Sequence, residues 1–356
     1  MSTGIGCGRD PITTDEQRLE SRLLPFFCQK KREKRAEFSD GFVTALRPMP
    51  SEPAALVVFA RLPIPGKAKT RLAKDVGEAN AAEFYARMAE RIFTVTSRCE
   101  RTSSRTVFFS ERAEEDGIRR WLQGKRGTAS DPRASSWTDI RLEPQAAGGD
   151  LGERMRRALD HALRHGGSDG GPCAKAVVIG TDIPSLDASH VDRAVELLDA
   201  HDVVFGPAVD GGYYLLGVRD RGCGGGGDGE RGGVDGGEGS DGGVAGGGGA
   251  HPAIFTDIPW STGTVLRDSL RACDAAGISA APVGAMETLR DVDTADDVNA
   301  WIESRFEAYA DTGVYVPNEL ADLGWDLLKY SGYGSRPPKE DETRLPEEMK
   351  DYVMPD

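Results

Sequence analysis

No part of the chain approaches the ~18 consecutive apolar residues of a membrane-spanning helix, and its first residues lack the basic, apolar and small-residue series of a secretory leader. A cytoplasmic protein without a membrane partner is therefore expected. Six cysteines, Cys7, Cys28, Cys99, Cys173, Cys223 and Cys273, form no C-x-x-C pair and no metal-ligand cadence. A chain of 356 residues has no need of disulfide staples, which suits a reducing compartment. Among the five histidines, His161 and His165 stand four apart but without an H-E-x-x-H frame, so a zinc site is not expected. Ser261 has no nucleophile-elbow surroundings. Basic charge is also short: 44 Lys and Arg face 58 Asp and Glu, for a net charge of -14. That balance excludes broad nucleic-acid affinity, which needs a surface that neutralises phosphates, but leaves room for a local basic pocket.

What the chain has is enough apolar content, 38%, for one substantial core. Residues 1–50 read as a polar N-terminal extension carrying the basic cluster KKREKR at Lys30 to Arg35, suited to a solvated helix or to an address signal. Residues 51–304 read as the folded domain. Within it, residues 222–249 contain 17 glycines in 28 positions, too much backbone entropy for a packed element, and read as a disordered insertion rather than a phosphate loop. Residues 305–356 form a C-terminal extension: Leu320, Trp325, Leu327 and Leu328 suit packing on the domain, and an acidic tail follows from Gly332.

From residue 54 strand and helix patterns alternate. AALVVFA (Ala54 to Ala60), RTVFF (Arg105 to Phe109), KAVVIG (Lys175 to Gly180), DVVFG (Asp202 to Gly206) and YYLLGV (Tyr213 to Val218) have strand composition. Helical stripes occupy 78–97, where Ala81, Tyr85, Met88, Ile92 and Phe93 share a face, and also 111–122, 151–163 and 187–198. Residues 124–140 read as a polar loop. The pattern predicts an α/β fold, a doubly wound, mostly parallel sheet with one antiparallel strand at an edge.

Four segments carry candidate chemistry. After the first strand, PGKAKTRL places Gly66 in a tight turn and offers Lys67, Lys69 and Arg71 as donors to a nucleotide's phosphates; the alternative is a basic surface turn. After KAVVIG, Asp182 stands where open α/β sheets bind ligands and offers a hard oxygen to Mg²⁺ or Mn²⁺, or else caps the next turn. After DVVFG, PAVDGG sets Asp210 before Gly211 and Gly212, whose N–H groups can face a substrate or simply build a turn. In RDVDT, Asp291 or Asp293 can complete a two-carboxylate metal site, while Thr294 suits a helix N-cap. Ser261 or Thr262 suits another helix start, with Trp260 as a core anchor.

VVFARLPIPGKAKTRLA, GDLGERMRRAL, VVIGTDIPSL, VVFGPAVDGGYYLLG, IFTDIPWST and LRDVDTADDV occur in this order between residues 54 and 304. In these six blocks the chain resembles the DUF2064 family, whose members are usually named glycosyltransferases. The resemblance implies the nucleotide-diphospho-sugar transferase (GT-A-like) fold. It also implies a divalent-metal-dependent transferase that binds a nucleotide or nucleotide-sugar and a small-molecule acceptor. Carried over in this way, Gly66, Lys67, Lys69 and Arg71 match the nucleotide-phosphate loop, and Lys69, Arg71, Asp182 and Asp210 the catalytic set. Asp210, Gly211 and Gly212 then face substrate, and Asp182 and Asp293 are the metal ligands. KTRL is also similar to the KSRL motif of phospholactate guanylyltransferases, and Thr-Asp-Ile stands where type-A glycosyltransferases have Asp-x-Asp. Glycosyl transfer is therefore expected first, nucleotidyl transfer as its alternative, and a non-catalytic nucleotide-binding module third.

Overall fold

The computed structural model describes residues 52–124, 137, 139–220, 249–312 and 319–331. The expected N-terminal extension, most of the glycine tract and the acidic tail lie outside these residues.

Among the described residues six strands form one sheet: β1 (Ala54–Ala60), β2 (Thr102–Phe109), β3 (Ile140–Pro144), β4 (Lys175–Ile179), β5 (Val203–Pro207) and β6 (Tyr213–Arg219), in the order β3-β2-β1-β4-β6-β5. Pairings β1–β2, β1–β4 and β2–β3 are parallel, whereas β6 is antiparallel to both neighbours. The antiparallel strand thus lies one place in from the edge, because β5 and β6 pair as a hairpin through a short turn. β3 is the strand that the sequence conceals. Its residues, IRLEP, are half-buried or exposed, as suits an edge strand, and give no buried apolar run to read.

Among the described residues, and besides one short turn of helix at Ala73–Val76, seven longer helices cover the sheet: α1 (Glu78–Thr96), α2 (Glu115–Gly124), α3 (Leu151–His165), α4 (Ala188–Leu197), α5 (Val265–Ala276), α6 (Ala295–Thr312) and α7 (Glu319–Ser331). The two-residue period of the strands divides their side chains between two cores. On one face Leu56, Val58, Val107, Phe109, Val177, Ile179 and Leu215 pack under α1, α2, α4, α6 and α7. On the other, Val57, Phe108, Val178, Phe205 and Leu216 pack under α3 and α5. Fully buried Trp301, Phe84, Phe93, Phe109 and Phe205 anchor these cores, each worth about 2–3 kcal/mol of burial. α7 contributes Leu320, Ala321, Leu327 and Leu328 to the first core, and α6 runs through residue 304 without a break.

The helix starts follow local chemistry. Asp150 caps α3 by accepting from the Glu153 N–H at 2.8 Å. Asp187 opens α4 in a capping box with His190. α5 starts after Thr264, not at Ser261 or Thr262: Ser261 has φ 64°, outside the helical region. Trp260 is partly buried against the second core, edge-on to Tyr213 at 6.5 Å.

Candidate functional site

The parallel strands β1 and β4 are adjacent at the centre of the sheet, and the segments leaving their C-terminal ends meet. After β1 the chain turns through Gly66 at φ 77°, and the N–H groups of Lys67 and Ala68 both donate to Ile64 O at 3.0 Å. Ala68 and Leu72, one helical turn apart, are fully buried and pin this loop to the core. Lys69 has φ 49°, a left-handed conformation that costs a lysine about 1 kcal/mol or more. Its carbonyl accepts from Ala73 N at 2.8 Å, and its side chain is sent inward, 5% exposed.

The destination of that side chain is a pair of carboxylates. Lys69 Nζ lies 2.8 Å from Asp182 Oδ1 and donates to Asp293 Oδ1 at 2.7 Å. Asp182 comes from the β4 loop and Asp293 from the segment before α6. A backbone hydrogen bond joins the two segments, Val292 N donating to Asp182 O at 3.0 Å. Thr294 does cap α6, accepting from the Asp297 N–H at 3.2 Å, while Asp297 Oδ2 accepts from the N–H groups of Asp293 and Thr294. The cap fixes Asp293 as the residue just before the N-cap. Arg71 Nη1 stands 3.7 Å from Asp293 Oδ2 and is largely exposed.

Burial opposes the charge on Lys69, but the facing carboxylates outweigh it and its pKa is raised. Burial likewise pushes the Asp293 carboxyl up, and Lys69 reverses this, so that its pKa is lowered. Lys69 and Asp293 therefore face each other as an ion pair at neutral pH.

One group that the sequence left in another role helps complete the site. Tyr85, a stripe residue of α1, has its hydroxyl 2.9 Å from Thr181 Oγ1, and that hydroxyl accepts the Arg61 N–H at 2.9 Å. Thr181 in turn donates to Phe59 O at 3.2 Å. Tyr85 thus ties the ends of β1 and β4 together, and burial pushes its own pKa up to about 12, so it stays neutral. Arg91 of α1 holds the next stretch, donating to Pro184 O at 2.8 Å. The resulting cleft, about 220 Å³, is lined by Arg61, Lys67, Lys69, Thr70, Arg71, Tyr85, Asp182 and Asp293. Arg61 carried no signal beyond its place one residue past β1.

Asp210, Gly211 and Gly212 lie in the β5–β6 turn, and none of them lines this cleft. The Gly211 N–H donates to Ala208 O at 3.2 Å and the Gly212 N–H to Asp210 Oδ1 at 2.8 Å, so both amides are engaged within the turn. Asp291 connects the two places. Burial, then the carboxylates of Asp210 and Asp293, push its pKa up to about 6.

The donor set suits a hard divalent cation. Mg²⁺ is commonly held by one or two carboxylates together with substrate phosphates rather than by a complete protein cage. Asp182 and Asp293 offer two oxygens converging on one point, and among the described residues no group of three or more His, Cys, Asp or Glu forms a fuller cage.

Residues 104–226 match the family model described as "Uncharacterized protein conserved in bacteria (DUF2064)". That segment belongs to the DUF2064 family. No curated protein matches the chain. Among solved structures, a protein provisionally described as a nucleotide-diphospho-sugar transferase from Desulfovibrio desulfuricans G20 is 23% identical. The similarity covers 78% of this chain and 96% of that one, at a TM-score of 0.56. This likeness establishes a shared mixed, mostly parallel α/β fold. More distant are a cytidylyltransferase from Leptospira borgpetersenii serovar Hardjo-bovis and a manganese complex of Rv0371c from Mycobacterium tuberculosis H37Rv. The first is 13% identical, over 46% of this chain and 59% of that one, with a TM-score of 0.29. The second is 12% identical, over 70% and 99%, with a TM-score of 0.31. Neither is close enough to bear on the chemistry of this chain.

Proposed function

We propose that this protein is a nucleotidyltransferase, which joins the nucleotide of an NTP to a phosphorylated metabolite and releases pyrophosphate. The GT-A-like variant of the fold is part of this reading. One observation carries it: four cationic side chains, Arg61, Lys67, Lys69 and Arg71, line one cleft with only two carboxylates, Asp182 and Asp293. That excess of positive charge suits a triphosphate, the most highly charged form in which a nucleotide is activated.

In this reading Lys67 and Arg71 bind phosphate oxygens from the cleft wall, and Lys69 offsets charge on the departing pyrophosphate. Asp182 and Asp293 would hold Mg²⁺ or Mn²⁺, which when bound supplies further charge neutralisation at the phosphates. An acceptor phosphate oxygen attacks the α-phosphorus, and the bond from that phosphorus to the β-phosphate bridging oxygen breaks. Tyr85 acts as a positioning residue, keeping the two loops in register.

Glycosyl transfer from a nucleotide-sugar is the second reading. It draws on the name of the Desulfovibrio structure and on Asp210, which lies at the same end of the sheet and would meet a sugar hydroxyl. The test is to incubate the protein with Mg²⁺ or Mn²⁺, the four NTPs or a set of nucleotide-sugars, and panels of phosphorylated metabolites and free sugars. Pyrophosphate with a nucleotide-linked product is expected. Release of a nucleoside diphosphate from nucleotide-sugars alone would move the assignment to glycosyl transfer.

A further inference from the structure

The Lys69 ammonium sits where a cation shared by Asp182 and Asp293 has to sit. Both Oδ1 atoms are within hydrogen-bond distance of the same nitrogen, at 2.8 and 2.7 Å. A divalent ion bound to those oxygens at about 2.1 Å would claim the space and the lone pairs that the ammonium now uses. The two cations exclude one another. The ammonium is also buried and reaches its place from a left-handed backbone, so it is held there by the fold and not only by a chance rotamer.

We infer that Lys69 is a resident counter-ion that keeps divalent metal out of the Asp182–Asp293 pair until a polyphosphate arrives to take the ammonium. Metal then enters together with its nucleotide, not before it. Lys69 has such an alternative partner within reach, because the cleft it lines is the proposed phosphate site; this last step rests on the nucleotide reading, whereas the exclusion of metal does not. Arg71, 3.7 Å from Asp293 Oδ2 and exposed, is free to swing to a phosphate without uncovering a buried charge.

The test measures metal alone. Mn²⁺ binding to the full chain, followed by the electron paramagnetic resonance of free Mn²⁺ without nucleotide, should be weak for the wild type. It should be roughly tenfold tighter or more for Lys69→Met, which removes a unit charge beside the ligands. The gain should vanish in Lys69→Met combined with Asp182→Asn, and should be absent in Lys69→Arg, which keeps the positive charge. Thermal unfolding supplies a second readout: Mn²⁺ should raise the melting temperature of Lys69→Met more than that of the wild type. Lys69→Met binding no tighter than the wild type, Lys69→Arg binding as tightly as Lys69→Met, or a Lys69→Met protein that stays unfolded with Mn²⁺ would each overturn the inference. A separate arm adds ATP, CTP, GTP or UTP to the wild type, where Mn²⁺ affinity should rise at least tenfold. If Lys69→Met behaves as expected and no NTP changes the wild-type affinity, the counter-ion role stands and the nucleotide reading fails.

Discussion

The loop after β1 and the turn between β5 and β6 emerge at the same end of the sheet, and each carries glycine beside charge. The placement of their charged side chains separates them. In the first, Ala68 and Leu72 anchor the backbone while Lys67, Lys69 and Arg71 line a cleft. In the second, the amides of Gly211 and Gly212 are spent inside the turn, and Gly211 packs so closely on the 263 peptide that an added Cβ would lie 2.1 Å from Gly263 O. A glycine pair next to an acid can serve a ligand or a fold, and where the amide hydrogens go decides which. Here the first loop presents charge and the second secures the chain.

The sharpest way to break this contrast is to remove charge from the cleft. Asp182→Asn takes away a carboxylate that pairs with Lys69, and loss of an electrostatic contact of this kind commonly costs ~3 kcal/mol, or ~10²–10³ in rate. Turnover should fall on that scale while circular dichroism and melting show an intact fold. Unchanged turnover would remove Asp182 from the mechanism.

A change in the second loop should act on stability instead. Gly211→Ala meets both φ 88° and the Gly263 carbonyl, and should cost roughly 2–3 kcal/mol. The C-cap glycine of α5, Gly277, has φ 66° but open space around it, so Gly277→Ala should cost only about 1 kcal/mol. Denaturant unfolding of the two variants checks the difference; equal losses would mean that the close approach to Gly263 is not needed.

The smallest effect belongs to Asp291, which joins the two regions. Its pKa is raised from the ordinary carboxylate value to about 6, first by burial and then by its acidic neighbours. A carboxyl raised in this way destabilises the fold once it ionises, so its penalty is full above pH 6 and fades as pH falls toward the unfolded value near 4. Asp291→Asn should therefore stabilise the protein at pH 7.5 by ~1 kcal/mol, an amount already discounted for partial solvent screening. The gain should disappear near pH 4. Melting curves at the two pH values test the sign, and a gain that persists at low pH would exclude ionisation as its cause. Asp293 works in the opposite direction: its lowered pKa contributes stability above the ordinary value that is lost as the carboxyl protonates.

Much of the fold was legible because β1, β2, β4 and β6 are buried runs, and buried runs announce themselves. β3 was not, since its residues IRLEP line an edge and are half-exposed. The place of β6 was hidden for another reason: a hairpin shows that two strands pair, but not which of them meets β4. At the site, Lys69 and Asp182 stood out as charge at the ends of buried strands. The grouping of Lys69 with Asp293, 224 positions apart, depended on a resemblance to known motifs, because no local pattern spans that distance. Tyr85 was readable only as an apolar stripe residue of α1. Its hydroxyl became informative once both of its partners were placed, Arg61 in the β1 loop and Thr181 in the β4 loop.

The central claim is that the cleft between the β1 and β4 loops holds a nucleotide's phosphates. Calorimetric titration of the wild type with each NTP in the presence of Mg²⁺ tests it most directly, alongside the double variant Arg61→Ala, Arg71→Ala and the control Lys74→Ala. Lys74 is a useful control because it is basic and exposed, three residues beyond Arg71, and does not line the cleft. The account predicts that at least one NTP binds, that the double variant weakens this binding by tenfold or more, and that Lys74→Ala leaves it unchanged. Binding that is absent in the wild type, or that falls equally in the control, would contradict it.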